Sequence, residues 1–451
     1  MQFEENVDGL EDFEPSASLQ EDYVLRTIES RGIHFIRFWF TDVLGNLKSF
    51  ATTPEGLDDV FAEGVGFDGS AVEGFTSTEE SDVLAFPDPA TFQVLPWRPE
   101  TDGAARMFCD IHDNDGRPFA GDPRYALKRI MRRAADMGFS PNIGPEIEHF
   151  YFKSDSDYTP LDDGGYFDLT ATDYGSDLRR DTVLTLEKLG IVVEYSHHEC
   201  APSQQEIDLR FTDALTMADN VMSYRLTVKQ VARQHGVFAS FMPKPLNGVP
   251  GSGMHVHQSL FREDGSNAFF DPSDPLGYNL SDVAKHYIAG LIKYAPEFTA
   301  ITNQNVNSYK RLMGPDAPIH LTWAHQDRSA MIRIPAAKPH KEASCRVEMR
   351  LPDATCNPYL AFAVMLGAGL KGIEDELPLP PELPNSASVH DAPMVPMTLG
   401  EAIDRFERSE LMRDILGDHI FDYFVRVKRA EWQEFCSYVS PWEIDRQLSS
   451  L

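Results

Sequence analysis

Pro145-Glu146-Ile147-Glu148-His149-Phe150 alternates carboxylates with other residues, and its reading decides the fold. Successive side chains of a strand point to opposite faces, so a strand here sets Glu146 and Glu148 side by side. Three more stretches follow the same rule. Glu206-Ile207-Asp208-Leu209-Arg210-Phe211 puts two carboxylates and Arg210 on one face, with Ile207, Leu209 and Phe211 behind. Met254-His255-Val256-His257-Gln258-Ser259 groups His255, His257 and Ser259, and Arg346-Val347-Glu348-Met349-Arg350 sets a carboxylate between two cations. Four such strands in one sheet build a polar, concave wall over an apolar core.

Each stretch alone has an ordinary explanation: a solvated edge, a satisfied histidine, or a cross-strand ion-pair ladder. Their joint occurrence, with Gly251-Ser252-Gly253 abutting one of them, points to a site. Glu199, after His197-His198, and Glu206 bring the glutamates to five, alongside His255. Carboxylates with one imidazole and no thiolate suit hard divalent ions, Mg²⁺ or Mn²⁺, in number enough for two, rather than structural zinc. Arg311, Arg328, Arg333, Arg346 and Arg350 would hold phosphates and carboxylates. Two cations beside several arginines form the electrostatic clamp of phosphoryl transfer.

Around these strands the chain carries 71 Asp and Glu against 40 Lys and Arg, a net charge of −31. That argues against nucleic acid as a partner, since backbone binding needs clustered cations. The short basic cluster Lys128, Arg129, Arg132 and Arg133 reads as one solvated helix face. The longest apolar run, Leu360 to Leu370, is far too short to span a bilayer, and no secretory leader opens the chain, so the expected location is cytoplasmic with no membrane contact. The five cysteines are scattered and never paired as C-x-x-C, which suggests neither a disulfide framework nor a thiolate metal site.

Residues 1–27 read as a flexible acidic tail, 28–114 as a small β-rich domain opening on Ile33-His34-Phe35-Ile36-Arg37-Phe38-Trp39-Phe40, and 121–451 as the catalytic domain. Gly116 to Pro123 is the expected linker, Asp122-Pro123-Arg124-Tyr125 opens a helix, Leu377 to Pro396 is a Pro-rich loop, and Leu399 to Arg446 is mostly helical.

The residues resemble the type I glutamine synthetases of bacteria from about residue 30 to the C-terminus. The resemblance rests on Phe40-Thr41-Asp42-Val43-Leu44-Gly45, Phe67-Asp68-Gly69-Ser70-Ala71-Val72-Glu73-Gly74-Phe75, Gly144-Pro145-Glu146-Ile147-Glu148 and His197-His198-Glu199. Phe241-Met242-Pro243-Lys244-Pro245, Gly251-Ser252-Gly253-Met254-His255, Asn307-Ser308-Tyr309-Lys310-Arg311-Leu312 and Asn357-Pro358-Tyr359-Leu360 complete the family's order. It implies an α+β fold, with an N-terminal β-grasp domain and a large glutamine synthetase/guanidino kinase-like catalytic domain built on a curved antiparallel sheet. It also implies a homo-oligomer, a dodecamer of two hexameric rings, in which the β-grasp domain of one subunit closes the active site of the next.

The family's residues carry over by position. Glu146, Glu199 and Glu206 match the ligands of a first metal, and Glu148, His255 and Glu348 those of a second. Glu194, His257, Ser259, Arg328, Arg333 and Arg346 match the ATP site, Arg328 with a catalytic role as well. Gly251, Arg311 and Arg350 match the glutamate clamp, and Asp42 the acid that holds and deprotonates ammonium. The implied reaction is ATP-dependent ligation of ammonia to the γ-carboxylate of L-glutamate through γ-glutamyl phosphate, with two or more Mg²⁺ or Mn²⁺ ions per subunit.

Departures fall at the amine site. Where the family reads Leu-Val-Pro-Gly-Tyr-Glu-Ala-Pro, this chain has Leu312-Met313-Gly314-Pro315-Asp316-Ala317-Pro318, one residue shorter and with Asp316 in place of the catalytic glutamate. Pro250 and Asp327 each replace an asparagine. The alternative expectation is therefore a γ-glutamyl ligase for a larger amine, a polyamine or ethanolamine. The Pro-rich loop holds no tyrosine for adenylylation, and Thr76-Ser77-Thr78 lacks the arginine of glutamine feedback.

Overall fold

The computed structural model describes residues 17–75, 82–98, 102–169, 174–314, 317–336, 341–383 and 392–450. Asp316, Thr76-Ser77-Thr78 and much of the Pro-rich loop lie outside these residues. The described chain opens with helix α1 (Ala17–Arg31), where a flexible tail was expected through residue 27. The reason is an apolar pair: Val24 and Ile28, one helical turn apart, are buried in the core of the first sheet.

That sheet comprises β1 (Ile33–Thr41), β2 (Leu47–Thr52), β3 (Val65–Asp68), β4 (Asp82–Pro87), β5 (Gln93–Val94) and β6 (Gly103–His112), with helix α2 (Leu57–Glu63) between β2 and β3. The order is β2-β1-β6-β4-β3, with β5 also on β6. β1 and β6 run parallel and the other pairs antiparallel. Phe38, Phe40, Met107 and Ile111 fill its core. The tight turn Asp42–Asn46 joins β1 to β2, with Gly45 at φ +85°, a conformation open to glycine at little cost.

Helix α3 (Pro123–Asp136) begins the larger body: the Asp122 side chain accepts the Arg124 amide, and Pro123 occupies the first turn, where its missing N–H costs nothing. Strands β7 (Ser140–Phe152), β8 (Val193–His198), β9 (Gln204–Leu209), β10 (Thr212–Asp213), β11 (Phe238–Ser240), β12 (Met254–Phe261), β13 (Trp323–His325), β14 (Ile332–Ile334) and β15 (Val347–Met349) form one sheet of order β13-β14-β15-β12-β7-β9-β8, with β10 and β11 also on β7. It is antiparallel as expected except at one edge, where β13 and β14 run parallel. Helices α4 (Tyr174–Lys188), α5 (Ala214–Gln234), α6 (Asp282–Thr302), α7 (Val306–Leu312) and α8 (Pro358–Glu374) accompany the sheet. Met217, Val221 and Tyr224 of α5 share its core with Ile147 and Val256, and α8 is buried on nearly every side. The chain closes on α9 (Leu399–Phe406), α10 (Glu410–Leu416), α11 (Asp418–Ser437) and α12 (Pro441–Gln447).

Candidate active site

The four alternating stretches are neighbours in the larger sheet: β15, β12, β7 and β9 lie side by side. Register sets the polar wall: Glu146 stands opposite His255 on β12 and Asp208 on β9, Glu148 opposite Glu206, and Glu348 opposite His257. One face of four strands thus carries the acids and imidazoles, while Ile147, Val256 and Met349 of the same strands enter the core. Arg210 and Phe211 do not take the places expected of them. β9 ends at Leu209, so Arg210 is exposed and Phe211 is half out of the core.

The wall opens into a cleft of about 500 Å³ lined by Glu146, Glu148, Glu199, Glu206, His255 and Glu348, with Gly251, Arg311, Arg328, Arg333 and Arg350 around them. Gly314 and Ala317, either side of the two undescribed flap residues, also face it. Glu146 receives His255 Nδ1 at 3.1 Å and His257 Nε2 at 2.7 Å. Burial works against its ionisation, but the two imidazoles prevail and hold its carboxyl well below the usual range. Glu348 lies 3.7 Å from His255 Nδ1 and pairs with Arg333 and, at 3.3 Å, with Arg350 Nε.

On the other side, Glu148 accepts from the Gly253 amide and from Gln204 Nε2, both at 2.9 Å. Burial raises its carboxyl pKa, His255 opposes this, and Glu199 adds to it. Glu199, just beyond β8, accepts the Cys200 amide at 2.7 Å. Burial, with Asp208, Glu148, Glu146 and Glu199 close by, pushes Glu206 well above the ordinary carboxyl range, and burial and Glu146 push Asp208 to about 8.

By register Glu146 has His255 across from it on β12 and Asp208 on β9, while Glu148 has Glu206 across from it on β9. Ligand atoms of Glu146, His257 and Glu348, of His197, Glu199 and Glu206, and of Glu146, Glu206 and Asp208 lie within 4.8 Å of one another in each group. Crowded carboxyls such as Glu206, whose pKa burial and then the neighbouring acids raise, fit divalent cations: a cation would neutralise this crowded charge, and oxygen and imidazole donors are what such ions take.

A smaller cavity of about 120 Å³ adjoins the cleft through Glu146 and is lined by Glu194, His257, Ser259 and Arg346, all expected at the nucleotide site. Arg346 Nε donates to His257 Nδ1 at 3.1 Å, so the histidine is held between a guanidinium and a carboxylate. Arg328 and Arg333 line the larger cleft instead, Arg328 bonded to Tyr166.

Arg311 projects from α7 and donates to the carbonyls of Leu351 at 2.8 Å and Pro352 at 3.2 Å, which fixes it beside Gly251 and Arg350. Gly251 is required there: a Cβ would run into the carbonyl oxygen of Pro243. Asp42 stands apart from the cleft of its own chain. Its fully buried carboxylate accepts the amide and Nδ2 of Asn46 at 2.8 and 3.0 Å and meets Lys48 Nζ at 3.2 Å. Gln204, Tyr166 and Tyr195 were missed by sequence reading, yet line the cleft. Gln204 sits two residues before Glu206 on β9, so the alternation that marked Glu206 also marks it.

Residues 32–114 match the family described as glutamine synthetase, beta-Grasp domain, and residues 120–447 that described as glutamine synthetase, catalytic domain. The chain belongs to the glutamine synthetase family. A protein named glutamine synthetase from Mycolicibacterium smegmatis is 51% identical over 446 residues, covering 95% of this chain and 99% of its own. One of the same name from Methanosarcina mazei is 48% identical over 95% of this chain and 97% of its own. Among solved structures, one titled GmaS/ADP complex superposes with a TM-score of 0.87 at 33% identity, covering 94% of this chain and 99% of that one. The two sheets are thus the β-grasp and catalytic parts of a glutamine synthetase-type fold. Among the described residues no helix is long and apolar enough to cross a membrane.

Proposed function

We propose that the protein is an ATP-dependent glutamate–ammonia ligase, making glutamine through γ-glutamyl phosphate. The observation that carries this reading is the meeting of the six acid and imidazole groups with Arg311, Arg328, Arg333 and Arg350 in one cleft. Relatives named glutamine synthetase at 51% and 48% identity, and a structural neighbour titled as an ADP complex, support it.

A γ-carboxylate is a poor electrophile, so ATP must first activate it. Arg350 and the fixed Arg311 would bind the carboxylates of glutamate, with Gly251 offering backbone at close approach. Glu194, His257, Ser259 and Arg346 would hold the nucleotide, and Arg328 and Arg333 would face the transferring phosphoryl group. Glu148, Glu199 and Glu206 would hold one Mg²⁺ or Mn²⁺, and Glu146, His255 and Glu348 a second. When bound, these cations supply charge stabilisation for phosphoryl transfer. The amine must attack unprotonated, and a carboxylate both attracts the cation and takes its proton. Asp42 would do this in a neighbouring copy once Lys48 is displaced from it, since it does not line its own cleft; this requires an adjoining subunit, in a proposed dodecamer of two rings, with Asp316 completing the pocket. With α1 packed on the first sheet, residues 17–114 and 121–451 would be the two domains, in a cytoplasmic enzyme.

One sequence feature favours a second reading, ligation of a larger amine: the flap of residues 312–318 is a residue short and carries Asp316 in place of glutamate. The deciding experiment is ATP- and glutamate-dependent phosphate release with Mg²⁺, comparing ammonium, putrescine, spermidine and ethanolamine, with the product identified by mass spectrometry. Glutamine from ammonium supports the proposal; turnover with larger amines alone replaces it with the second reading. Glu148→Ala or Arg350→Ala should lower turnover by about 10²-fold or more with the fold intact, the scale of losing one positioned charge.

A further inference from the structure

The stretch Asn357-Pro358-Tyr359-Leu360 has no part in the chemistry above, yet its first side chain spans the two sheets. Asn357 is buried and caps α8, its Oδ1 accepting the amides of Tyr359 at 3.1 Å and Leu360 at 3.4 Å. Both hydrogens of its Nδ2 go elsewhere, to the carbonyls of Asp42 at 3.1 Å and Val43 at 3.2 Å. Gln304 continues the pattern, donating from Nε2 to the Leu44 and Thr355 carbonyls, each at 2.9 Å. Two buried amides from the catalytic body therefore grip three consecutive carbonyls of the turn that carries Asp42. The fit is close as well: a Cβ on Gly45 would stand 3.0 Å from Asn357 Cα.

Joining the two bodies does not need this clamp, because Arg124 already bridges Asp88 and Asp110 to α5 and Arg106 reaches Ser223. Fixing the carbonyls of Asp42 and Val43 fixes the peptide planes on either side of Val43, and so the direction in which Asp42 projects. We infer that Asn357 is a positioning residue for the amine-site acid Asp42, with Gln304 as its second support; the inference rests on the ligase reading above.

The test is Asn357→Asp, which retains an acceptor for the α8 cap but turns the donor facing Asp42 and Val43 into a repelling oxygen. Kinetics are compared for ammonium, which must be bound as a cation and deprotonated, and hydroxylamine, a nucleophile already neutral near pH 7.5. Expected is a rise of about tenfold or more in the ammonium KM, with the ATP and glutamate KM values and hydroxylamine turnover within about twofold of wild type. Gln304→Leu should shift the ammonium KM the same way by a smaller factor. Equal losses with both nucleophiles, or an unchanged ammonium KM, would overturn the inference. Wild-type turnover in the same assay keeps the two ideas separate: a wild type that turns over hydroxylamine but not ammonium fails the ligase reading, whatever the variants do.

Discussion

The guanidinium of Arg124 lies 3.1 Å from the carboxylate of Asp219, with both groups buried. The same guanidinium reaches Asp88 at 2.7 Å and Asp110 at 2.5 Å, so one cation at the start of α3 joins the β-grasp sheet to α5. Tyr359 supports Asp219 from α8 with its hydroxyl at 2.6 Å. Removing one partner of a buried ion pair strands the other and costs about 3–5 kcal/mol. Arg124→Met should therefore lower Tm by about 3–5 °C, and Arg124→Lys, unable to fork between three carboxylates, by an intermediate amount. A calorimetric scan showing both variants level with wild type would remove this network from the account of how the sheets are held together.

Without divalent cations, the acidic wall is a liability to the fold. Burial and Asp208, Glu148, Glu146 and Glu199 together raise the Glu206 carboxyl, so each ionised neighbour costs stability. Glu206→Gln should raise the Tm of EDTA-treated protein. Adding Mg²⁺ should stabilise wild type by about 2.7 kcal/mol at a hundred times its dissociation constant, and the variant far less. Stripping the metal should also abolish turnover reversibly. A wild type whose Tm ignores Mg²⁺ would contradict the reading of this wall as a cation site.

Asp122 offers a pH test away from the cleft. Burial, then the nearby Asp110 charge, pushes its carboxyl to about 7, despite the Ile111 and Arg124 amides that it accepts. The folded protein thus holds a proton that the unfolded chain, with an ordinary carboxyl near 3.8, has already released. Its contribution is fully present below about pH 4 and is lost as pH rises through about 7. Asp122→Asn keeps an acceptor for the α3 cap and cannot ionise. The Tm of the variant relative to wild type should climb between pH 5 and pH 8, and a flat difference would dismiss the buried charge as its cause.

The polar wall was legible because strand alternation is a local rule: Glu146, Glu148, His255, His257 and Glu348 could be placed on one face from spacing alone. Which acids face each other across strands was not legible, since it depends on β7 lying between β12 and β9 and on pairings such as Glu148 with Glu206. Arg210 misled because nothing in Asp208-Leu209-Arg210 marks the end of β9. Helix α1 was missed for a related reason. The acidic composition of residues 1–27 masked the Val24–Ile28 spacing, and those side chains become a reason to fold only once Ile33 and Ile36 provide a surface for them. Gln304 and Asn357 were out of reach altogether, as their partners are backbone carbonyls of a distant turn.

Lys48 holds its ammonium 3.2 Å from Asp42 across the β1–β2 hairpin, where it stands opposite Phe40. It therefore presents to Asp42 the same charge that a substrate ammonium ion would bring. Its side chain is 35% exposed and can be displaced, while the Asp42 carboxylate is held from the other side by the amide and Nδ2 of Asn46. On the proposed function the two cations compete for one carboxylate. Lys48→Met keeps the aliphatic stem and removes the charge, and the ammonium KM should fall by about threefold, on the scale of a partly exposed ion pair. The difference should shrink as ionic strength is raised, because salt screens the competing lysine. Steady-state kinetics at two salt concentrations measure both effects. An ammonium KM that stays level or rises in the variant would mean that Lys48 orients Asp42 instead of competing for it.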